Sequence, residues 1–232
     1  MARRFALPLA SRLLMVPALA LAVSLTGTCA RARDRGPAVL PAPAVDAPRA
    51  AKPGKETVVF AGGCFWGVQA VFQHVRGVID ATSGYAGGEA KTAAYDLVST
   101  GDTGHAESVR VTYDPSKVSY GQLLQVFFSV AHDPTQLNRQ GPDEGTQYRS
   151  VVFFTTPDQK RITDAYMAQL TAAKSFASPI VTQLTPLPAF YPAEPYHQNY
   201  AARHPHDPYI AFNDAPKVEH LQQLFPALYR NP

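Results

Sequence analysis

The most constraining feature of this 232-residue chain is a segment rich in Pro and Ala that separates a basic N-terminus from the rest. Between Arg33 and Lys55, five prolines punctuate a stretch of small and charged residues. Such a composition cannot bury a core and is typical of a semi-extended linker. Because no second linker and no internal repeat follows it, we expect one folded domain over residues 56–232.

Residues 1–32 have the pattern of a targeting leader. The positive charges of this region are those of Arg3, Arg4 and Arg12. An uncharged stretch over residues 13–25 follows, and Ala30-Arg31-Ala32 offers a cleavage site. The stretch is short for a membrane span, so cleavage is favoured, with an uncleaved anchor or a lipid on Cys29 as alternatives. We expect an exported bacterial protein that is periplasmic or attached to the envelope.

The net charge of +3 belongs to the N-terminal region and not to the predicted domain. Residues 56–232 carry twelve Lys and Arg against sixteen Asp and Glu, a net charge of −4. A nucleic-acid-binding domain needs a basic face, and this balance gives no indication of one. We therefore expect no nucleic-acid partner.

The chain has two cysteines, Cys29 and Cys64. Cleavage after Ala30 or Ala32 leaves a mature chain with Cys64 alone, which cannot form an internal disulfide. A single cysteine in an exported protein is a candidate for a reactive thiol, because an oxidising compartment would otherwise favour paired cysteines. The cysteine count thus directs attention to Cys64.

Strands and helices alternate along the predicted domain. A buried strand over Thr57–Ala61 ends at Gly62-Gly63, and a helix follows from Cys64 to about Val75. Further strands are predicted over Val78–Ser83, His105–Tyr113 and Tyr148–Phe154, and further helices after N-cap patterns at Ser119 and Thr156. This alternation predicts an α/β or mixed α+β fold. The long polar loop over residues 132–147 is typical of a functional loop.

Cys64 follows two glycines at the start of a predicted helix. A thiol at this position lies near the positive end of the helix dipole and near unpaired N–H groups, which favours a lowered pKa and a nucleophilic thiolate. The glycines allow a sharp turn and a close approach of substrate. A small buried structural cysteine is the alternative.

Three further features suggest a site for the thiol. Glu107 shares a predicted strand face with Val109 and Val111, where burial would raise its pKa and keep it protonated as an acid; a carboxylate satisfied by a hydrogen bond in the core is the alternative. Phe65 and the only tryptophan, Trp66, suggest either a pocket for a methyl-sized group or ordinary core packing. The polar loop brings Asp143 and Tyr148 to the start of a strand.

Four ordered motifs resemble those of the A-type peptide methionine sulfoxide reductases, over roughly Val58 to the C-terminus. They are Gly63-Cys64-Phe65-Trp66-Gly67, Gly84-Tyr85-Ala86-Gly87-Gly88, Gly104-His105-Ala106-Glu107 and Gly145-Thr146-Gln147-Tyr148-Arg149-Ser150. His132-Asp133-Pro134 and Tyr196-His197-Gln198-x-Tyr200 fit as well. The tail lacks the resolving cysteines of many members and is similar to the single-cysteine branch. The resemblance implies a two-layer sandwich with a ferredoxin-like central sheet, flanking helices and a long coiled C-terminal segment.

The resemblance also implies a mechanism. The Cys64 thiolate attacks the sulfur of methionine S-sulfoxide, free or in proteins, while Glu107 protonates the oxygen, and a Cys64 sulfenic acid results. Tyr95 and Tyr148 hydrogen-bond the oxygen, Phe65 and Trp66 hold the S-methyl group, and Asp143 orients the substrate main chain or the region of Cys64. An external thiol such as thioredoxin, glutaredoxin, glutathione or dithiothreitol then resolves the sulfenic acid. The family uses no metal or organic cofactor, and we expect a monomer that repairs oxidised proteins.

Two other classes of function remain open at this point. One is a Cys/His acyl-transfer hydrolase, with His105 or His197 as the base. The other is an envelope protein that binds partners without chemistry. A metal site at His204 and His206 is disfavoured, because no third ligand stands at a suitable spacing.

Overall fold

The computed structural model describes Ala2 and residues 39–232. Apart from Ala2, the predicted leader lies outside the described residues, and so does Cys29. Residues 39–232 belong to one compact unit. Within this part of the chain, no helix combines the length and the apolar character needed to cross a membrane.

A six-stranded sheet lies at the centre of the fold. Its strands are β1 (Glu56–Ala61), β2 (Val78–Ala86), β3 (Ala106–Tyr113), β6 (Val151–Phe154), β7 (Gln183–Pro186) and β8 (Phe190–Pro192). They lie in the order β7-β6-β1-β3-β2-β8, and the pair β6–β7 alone is parallel. A separate two-stranded hairpin consists of β4 (Arg139–Gln140) and β5 (Asp143–Glu144).

Within residues 39–232, six α-helices connect and flank these strands. They are α1 (Phe65–Gln73), α2 (Tyr95–Val98), α3 (Tyr120–Val126), α4 (Pro157–Ala172), α5 (Tyr200–Arg203) and α6 (Ala215–Leu224). Ser119 forms the predicted capping box with Gln122, and Thr156 caps α4 as its sequence predicts. π-Helical turns extend α3 over Phe127–Ala131 and precede α6 over Ile210–Asp214.

The elements β1-α1-β2-β3-α3-β6 form a ferredoxin-like unit with the antiparallel order β6-β1-β3-β2. Side chains of α1, α3 and α4 join those of Phe60, Val109 and Val152 in one buried cluster, so the helices cover one face of the sheet. The prediction of a mixed α+β sandwich with a ferredoxin-like central sheet is thereby confirmed.

The opposite face of the sheet carries a second, smaller cluster. Val59 and Ala61 of β1 lie there with Val151 and Phe153 of β6. Since both faces of β1 are covered, the strand is a continuous apolar run and not an alternating pattern.

Two strand boundaries differ from the predictions by three residues. β2 continues beyond Ser83 to Ala86, because Gly84 has no side chain and β8 crosses closely at Phe190. The positive φ that ends the strand comes at Gly87. Tyr148 lies in a 3-10 turn, and β6 begins only at Val151.

The described part of the predicted linker is bound to the folded domain. Leu40 is buried, and its carbonyl accepts a hydrogen bond of 2.7 Å from Gln125. Asp46 accepts hydrogen bonds from Ser119 and Gly121 at the start of α3. The composition predicts a segment without a core of its own, which does not prevent it from packing on a core that the domain supplies. We call residues 39–50 the N-terminal strap.

Candidate active site

Two glycines between β1 and α1 form the turn that presents Cys64. Gly63 has a φ of +86°, which a glycine adopts without strain. A Cβ at Gly62 would lie 2.9 Å from His132, and one at Gly63 would lie 2.5 Å from Gln140. The polar loop that carries both residues therefore packs directly on this turn, and only glycines leave space for it. Cys64 occupies the N-cap position of α1 and is 7% exposed.

The carboxyl group of Glu107 lies at the N-terminus of the same helix. Its Oε2 accepts a hydrogen bond of 3.0 Å from the backbone N–H of Phe65, the residue after Cys64. Glu107 is 2% exposed and shares the buried face of β3 with Val109 and Val111, as predicted. Burial, opposed by the hydrogen bond from Phe65, raises the pKa of Glu107 to about 8. The group is therefore largely protonated at neutral pH and able to donate a proton.

The ionisation of Cys64 differs from the sequence prediction. Burial raises the pKa of the Cys64 thiol well above its ordinary value, and the charges of Glu107 and Asp214 raise it further. The N–H of Trp66 and the ammonium group of Lys217 lower it without reversing the direction. The predicted lowering is thus wrong. A helix terminus contributes only about 0.3–1 kcal/mol, which is less than one pKa unit. Full burial of an anion raises its pKa by up to about 3–5 units.

Aromatic side chains enclose one side of the site. Phe65 is fully buried, with its ring centre 5.0 Å from that of His197. The indole of Trp66 stacks on Tyr200 at 3.8 Å, and Tyr209 meets it edge-on at 6.0 Å. Trp66 Nε1 donates a hydrogen bond of 3.2 Å to His197 Nδ1. His197 is consequently neutral, in agreement with the burial that lowers its pKa. The pair Phe65–Trp66 is held rigidly from several directions.

Two tyrosines reach the same centre from different elements. Tyr95 is the first residue of α2, and Tyr148 closes the 3-10 turn after the polar loop. Burial is the main cause that raises the pKa of each phenol, and the charges of Glu107 and Cys64 contribute to both. Both phenols therefore share the electrostatic environment of the thiol and the carboxyl group, and the ring centre of Tyr95 lies 4.4 Å from that of His197.

Asp143 completes the set of residues that the sequence predicts. It is half-buried in β5, and its Oδ2 accepts a hydrogen bond from the hydroxyl group of Tyr209. Burial raises the pKa of Asp143, and its charge is felt at Glu107 and Tyr148. The structure thus brings together Cys64, Phe65, Trp66, Tyr95, Glu107, Asp143 and Tyr148 around one site.

Other residues of the site received no role from the sequence. Glu194 accepts hydrogen bonds from the hydroxyl group of Tyr85 (2.8 Å) and the N–H of Tyr95 (2.9 Å), which anchors the start of α2. Tyr209 links Asp143 to the indole of Trp66. Each partner lies more than 60 residues away along the chain, so no local pattern reveals these contacts.

The geometry does not support a Cys/His hydrolase. Both ring nitrogens of His105 are engaged by backbone groups, Nε2 with the carbonyl of Glu89 at 3.0 Å and Nδ1 with the N–H of Gly88 at 3.2 Å. Nδ1 of His197 is occupied by Trp66. Within residues 39–232, no histidine is hydrogen-bonded to Cys64, as a Cys/His pair requires. The same residues contain no cluster of three His, Cys, Asp or Glu side chains able to hold a metal ion.

Comparisons of sequence point to one enzyme family. A family model described as "Peptide methionine sulfoxide reductase" matches residues 56–228. A relative from Mesorhizobium japonicum, named "Peptide methionine sulfoxide reductase MsrA 2", is 63% identical over 179 residues, which cover 77% of this chain and 92% of the relative. A "Peptide methionine sulfoxide reductase MsrA" from Thermus thermophilus is 47% identical over 176 residues, covering 76% of this chain and 98% of that protein.

Solved structures agree with the fold. Methionine sulfoxide reductase A of Corynebacterium diphtheriae has a TM-score of 0.57 and 37% identity, over 72% of this chain and 85% of that one. Reduced Mxr1 from Saccharomyces cerevisiae has a TM-score of 0.60 and 32% identity, over 66% of this chain and 87% of that one. With the thiol, the buried carboxyl group and the aromatic wall in place, the chain belongs to the A-type peptide methionine sulfoxide reductase family.

Proposed function

We propose that Cys64 is the nucleophile and Glu107 the proton donor of the methionine sulfoxide reduction that this family performs. The observation that carries the proposal is the hydrogen bond from Phe65 N–H to Glu107, which puts a protonated carboxyl group and the thiol at one helix N-terminus. The Cys64 thiolate attacks the sulfoxide sulfur, and Glu107 protonates the oxygen. The hydroxyl group passes to Cys64, so that methionine, a Cys64 sulfenic acid and a Glu107 carboxylate are formed.

The remaining residues recognise the sulfoxide. Phe65 and Trp66 form a rigid apolar wall suited to an S-methyl group. Tyr95 and Tyr148 supply hydroxyl donors for the oxygen, on which charge develops in the transition state. Asp143, held by Tyr209, orients the substrate main chain. Separate contacts for methyl and oxygen make the pocket chiral, which accounts for selectivity for the S epimer.

An external thiol completes the cycle. The first thiol attacks the sulfenic acid, releases water and forms a mixed disulfide with Cys64. A second thiol cleaves this disulfide and regenerates the Cys64 thiol, so two thiols are oxidised per methionine released. A thioredoxin-like dithiol protein suits this sequence, because both thiols then come from one partner. Small thiols such as glutathione or dithiothreitol can replace it.

The test is a dithiothreitol-dependent assay on separated epimers of methionine sulfoxide. We expect the S epimer to be reduced with one dithiothreitol consumed per methionine, and the R epimer to be left unchanged. Cys64→Ser is expected to abolish turnover while the protein stays folded, because a hydroxyl group is far less acidic than a thiol.

The outcomes of this assay separate the alternatives. Residual activity of Cys64→Ser above about a tenth of wild type would exclude Cys64 as the nucleophile, since loss of a covalent nucleophile costs far more. A folded wild-type protein that is inactive on both epimers in the presence of dithiothreitol would contradict the reductase function, and a hydrolase or a binding protein without chemistry would give this result.

We also propose that the protein acts in the bacterial periplasm or on the envelope. The basic residues and uncharged stretch within residues 1–32, followed by Ala30-Arg31-Ala32, support this location. The intact mass of protein recovered from the periplasmic fraction is expected to correspond to an N-terminus after Ala30 or Ala32. Full-length protein confined to the cytoplasm would contradict export.

A further inference from the structure

A half-buried ion pair lies against the first turn of α1, on the side of the C-terminal segment. Asp214 ends the π-helical turn before α6, and Lys217 lies in the first turn of α6. Lys217 Nζ donates to Asp214 Oδ1 at 3.0 Å, and the side chains are 19% and 0% exposed. Oδ2 of Asp214 is buried without a hydrogen-bond partner. None of the roles assigned above uses this pair.

Gly67 shows where the pair sits relative to the nucleophile. A Cβ at Gly67 would collide with Asp214 Oδ1 and would lie 2.8 Å from Lys217 Nζ. Gly67 is the third residue of α1, three positions after Cys64, so the two share one face of the helix. The ion pair therefore lies on the side of α1 to which Cys64 belongs, and the last glycine of Gly63-Cys64-Phe65-Trp66-Gly67 makes room for it.

The charges around the thiol have unequal effects. Burial is the main cause that raises the pKa of Cys64, and carboxylates at Glu107 and Asp214 raise it further. Lys217 is the one side-chain cation that lowers it among the described residues. The titratable groups on which the Lys217 charge acts are Cys64, His132, Asp143 and Asp214.

We propose that Lys217, held by Asp214 against Gly67, is a positioning residue that sets the fraction of Cys64 present as thiolate. The ammonium group acts on the thiolate through its charge, while its hydrogen bond goes to Asp214. Asp214 has two opposed effects, since it fixes Lys217 in place and also repels the thiolate. The inference deepens the proposed function, in which Cys64 is the nucleophile.

The proposal predicts changes of opposite sign at the two ends of one ion pair. Lys217→Met removes the cation and should slow alkylation of Cys64 by iodoacetamide at pH 8 by about tenfold, since a pKa change of one alters the thiolate fraction tenfold. Asp214→Asn keeps an oxygen acceptor for Lys217 but removes the negative charge, so it should speed alkylation several-fold. The double variant should lie between them, and Lys217→Arg should stay near wild type.

The measurement is the rate of iodoacetamide addition to the Cys64 peptide by mass spectrometry, from pH 6 to pH 10, with circular dichroism to check the fold. The full chain is used, because Cys29 falls in a different peptide. A purely structural role would change both single variants in the same direction, and this result would overturn the proposal. If Lys217→Met does not fold, the other variants still test the proposal. Slower alkylation of Asp214→Asn than of wild type would overturn the proposal, and so would slower alkylation of a folded Lys217→Arg.

Alkylation does not depend on reductase activity, so the two proposals can fail separately. Opposite signs in the alkylation rates together with an active Cys64→Ser variant would reject the proposed function and keep the electrostatic role of Lys217. If Lys217→Met and Asp214→Asn change the alkylation rate in the same direction and Cys64→Ser is inactive, the electrostatic role of Lys217 is rejected and the proposed function is kept.

Discussion

At the scale of single residues, the site combines a thiol and a carboxylic acid that both resist ionisation. Burial raises the pKa of Cys64 and of Glu107. The charge of Glu107 raises the pKa of Cys64 further, and the charges of Asp143 and Asp214 add to the rise at Glu107. At neutral pH both groups therefore hold their protons, and the thiolate that attacks the sulfoxide is a minor form of the free enzyme. The proton on Glu107 at neutral pH is thus mainly a consequence of its burial.

Glu107→Gln should lower the reductase rate about 10²-fold or more, the usual scale for loss of a general acid. Gln keeps an oxygen to accept the hydrogen bond from Phe65 N–H, so the helix terminus should remain intact. The measurement is single-turnover release of methionine at neutral pH. A variant with the wild-type rate would show that another group donates the proton.

Glu107→Gln, which should slow the reaction, should make the folded protein more stable at higher pH. The folded state keeps the Glu107 proton up to about pH 8, whereas the unfolded chain loses it near pH 4.5. The unfolded state therefore binds fewer protons between these values, and the Glu107 contribution makes the wild type less stable as pH rises through this range. Urea unfolding should show that Glu107→Gln lacks this loss and gains stability relative to wild type toward pH 8. Parallel curves for the two proteins would contradict the raised pKa.

At the scale of elements, the N-terminal strap completes the cap of α3. Ser119 Oγ accepts the N–H of Gln122, while Asp46 Oδ1 accepts the N–H of Gly121 at 2.7 Å. Asp46 Oδ2 also accepts a hydrogen bond of 2.5 Å from Ser119 Oγ. A Cβ at Gly121 would lie 2.5 Å from the Asp46 carboxyl group, so this glycine makes room for the strap. Two unpaired N–H groups of the first turn are satisfied in this way.

Asp46→Ala should lower the free energy of unfolding by about 1–3 kcal/mol, since it removes the two hydrogen bonds that the start of α3 donates to this carboxylate and a favourable interaction with the helix dipole. Urea denaturation of both proteins at pH 7 measures the difference. Asp102→Ala is the matched control, because it removes an exposed carboxylate. Equal stabilities of the two variants would mean that the Asp46 contacts with α3 contribute nothing to the stability of the fold.

At the scale of the whole molecule, the number of thiols decides how the enzyme resets. Cys64 is the one cysteine within residues 39–232, and it is free. The C-terminal segment that follows β8 supplies Tyr200, Tyr209 and Asp214 to the surroundings of Trp66 and Gly67, and it contains no cysteine. If the leader is cleaved as we propose, recycling depends on a thiol from outside the chain.

Oxidation of the mature protein by one equivalent of methionine S-sulfoxide should stop at a sulfenic acid on Cys64. One methionine should be released per chain, and a sulfenic-acid trap should add one adduct at Cys64 because no second thiol is available to displace the hydroxyl group. Mass spectrometry with and without the trap measures this. A Cys29–Cys64 disulfide in the exported protein would contradict the prediction and would show that Cys29 survives processing.

Features that depend on residues close together in the chain could be predicted from the sequence alone. Strand alternation placed Glu107 on the buried face of β3, the paired glycines placed Cys64 at the start of α1, and the capping patterns placed α3 and α4. These features follow from backbone hydrogen bonding and side-chain alternation within a few residues, which a single sequence displays directly.

The electrostatics of the site, in contrast, depend on the packing of distant segments. The pKa of Cys64 is raised, whereas the sequence predicted a lowered one. The burial that raises it depends on how the polar loop and the C-terminal segment pack around the start of α1. The contacts of Lys217 with Gly67 and of Tyr209 with Asp143 join residues that are far apart in sequence. Desolvation and Coulomb interactions act through distances in space, and these distances are set by the packing of the whole domain.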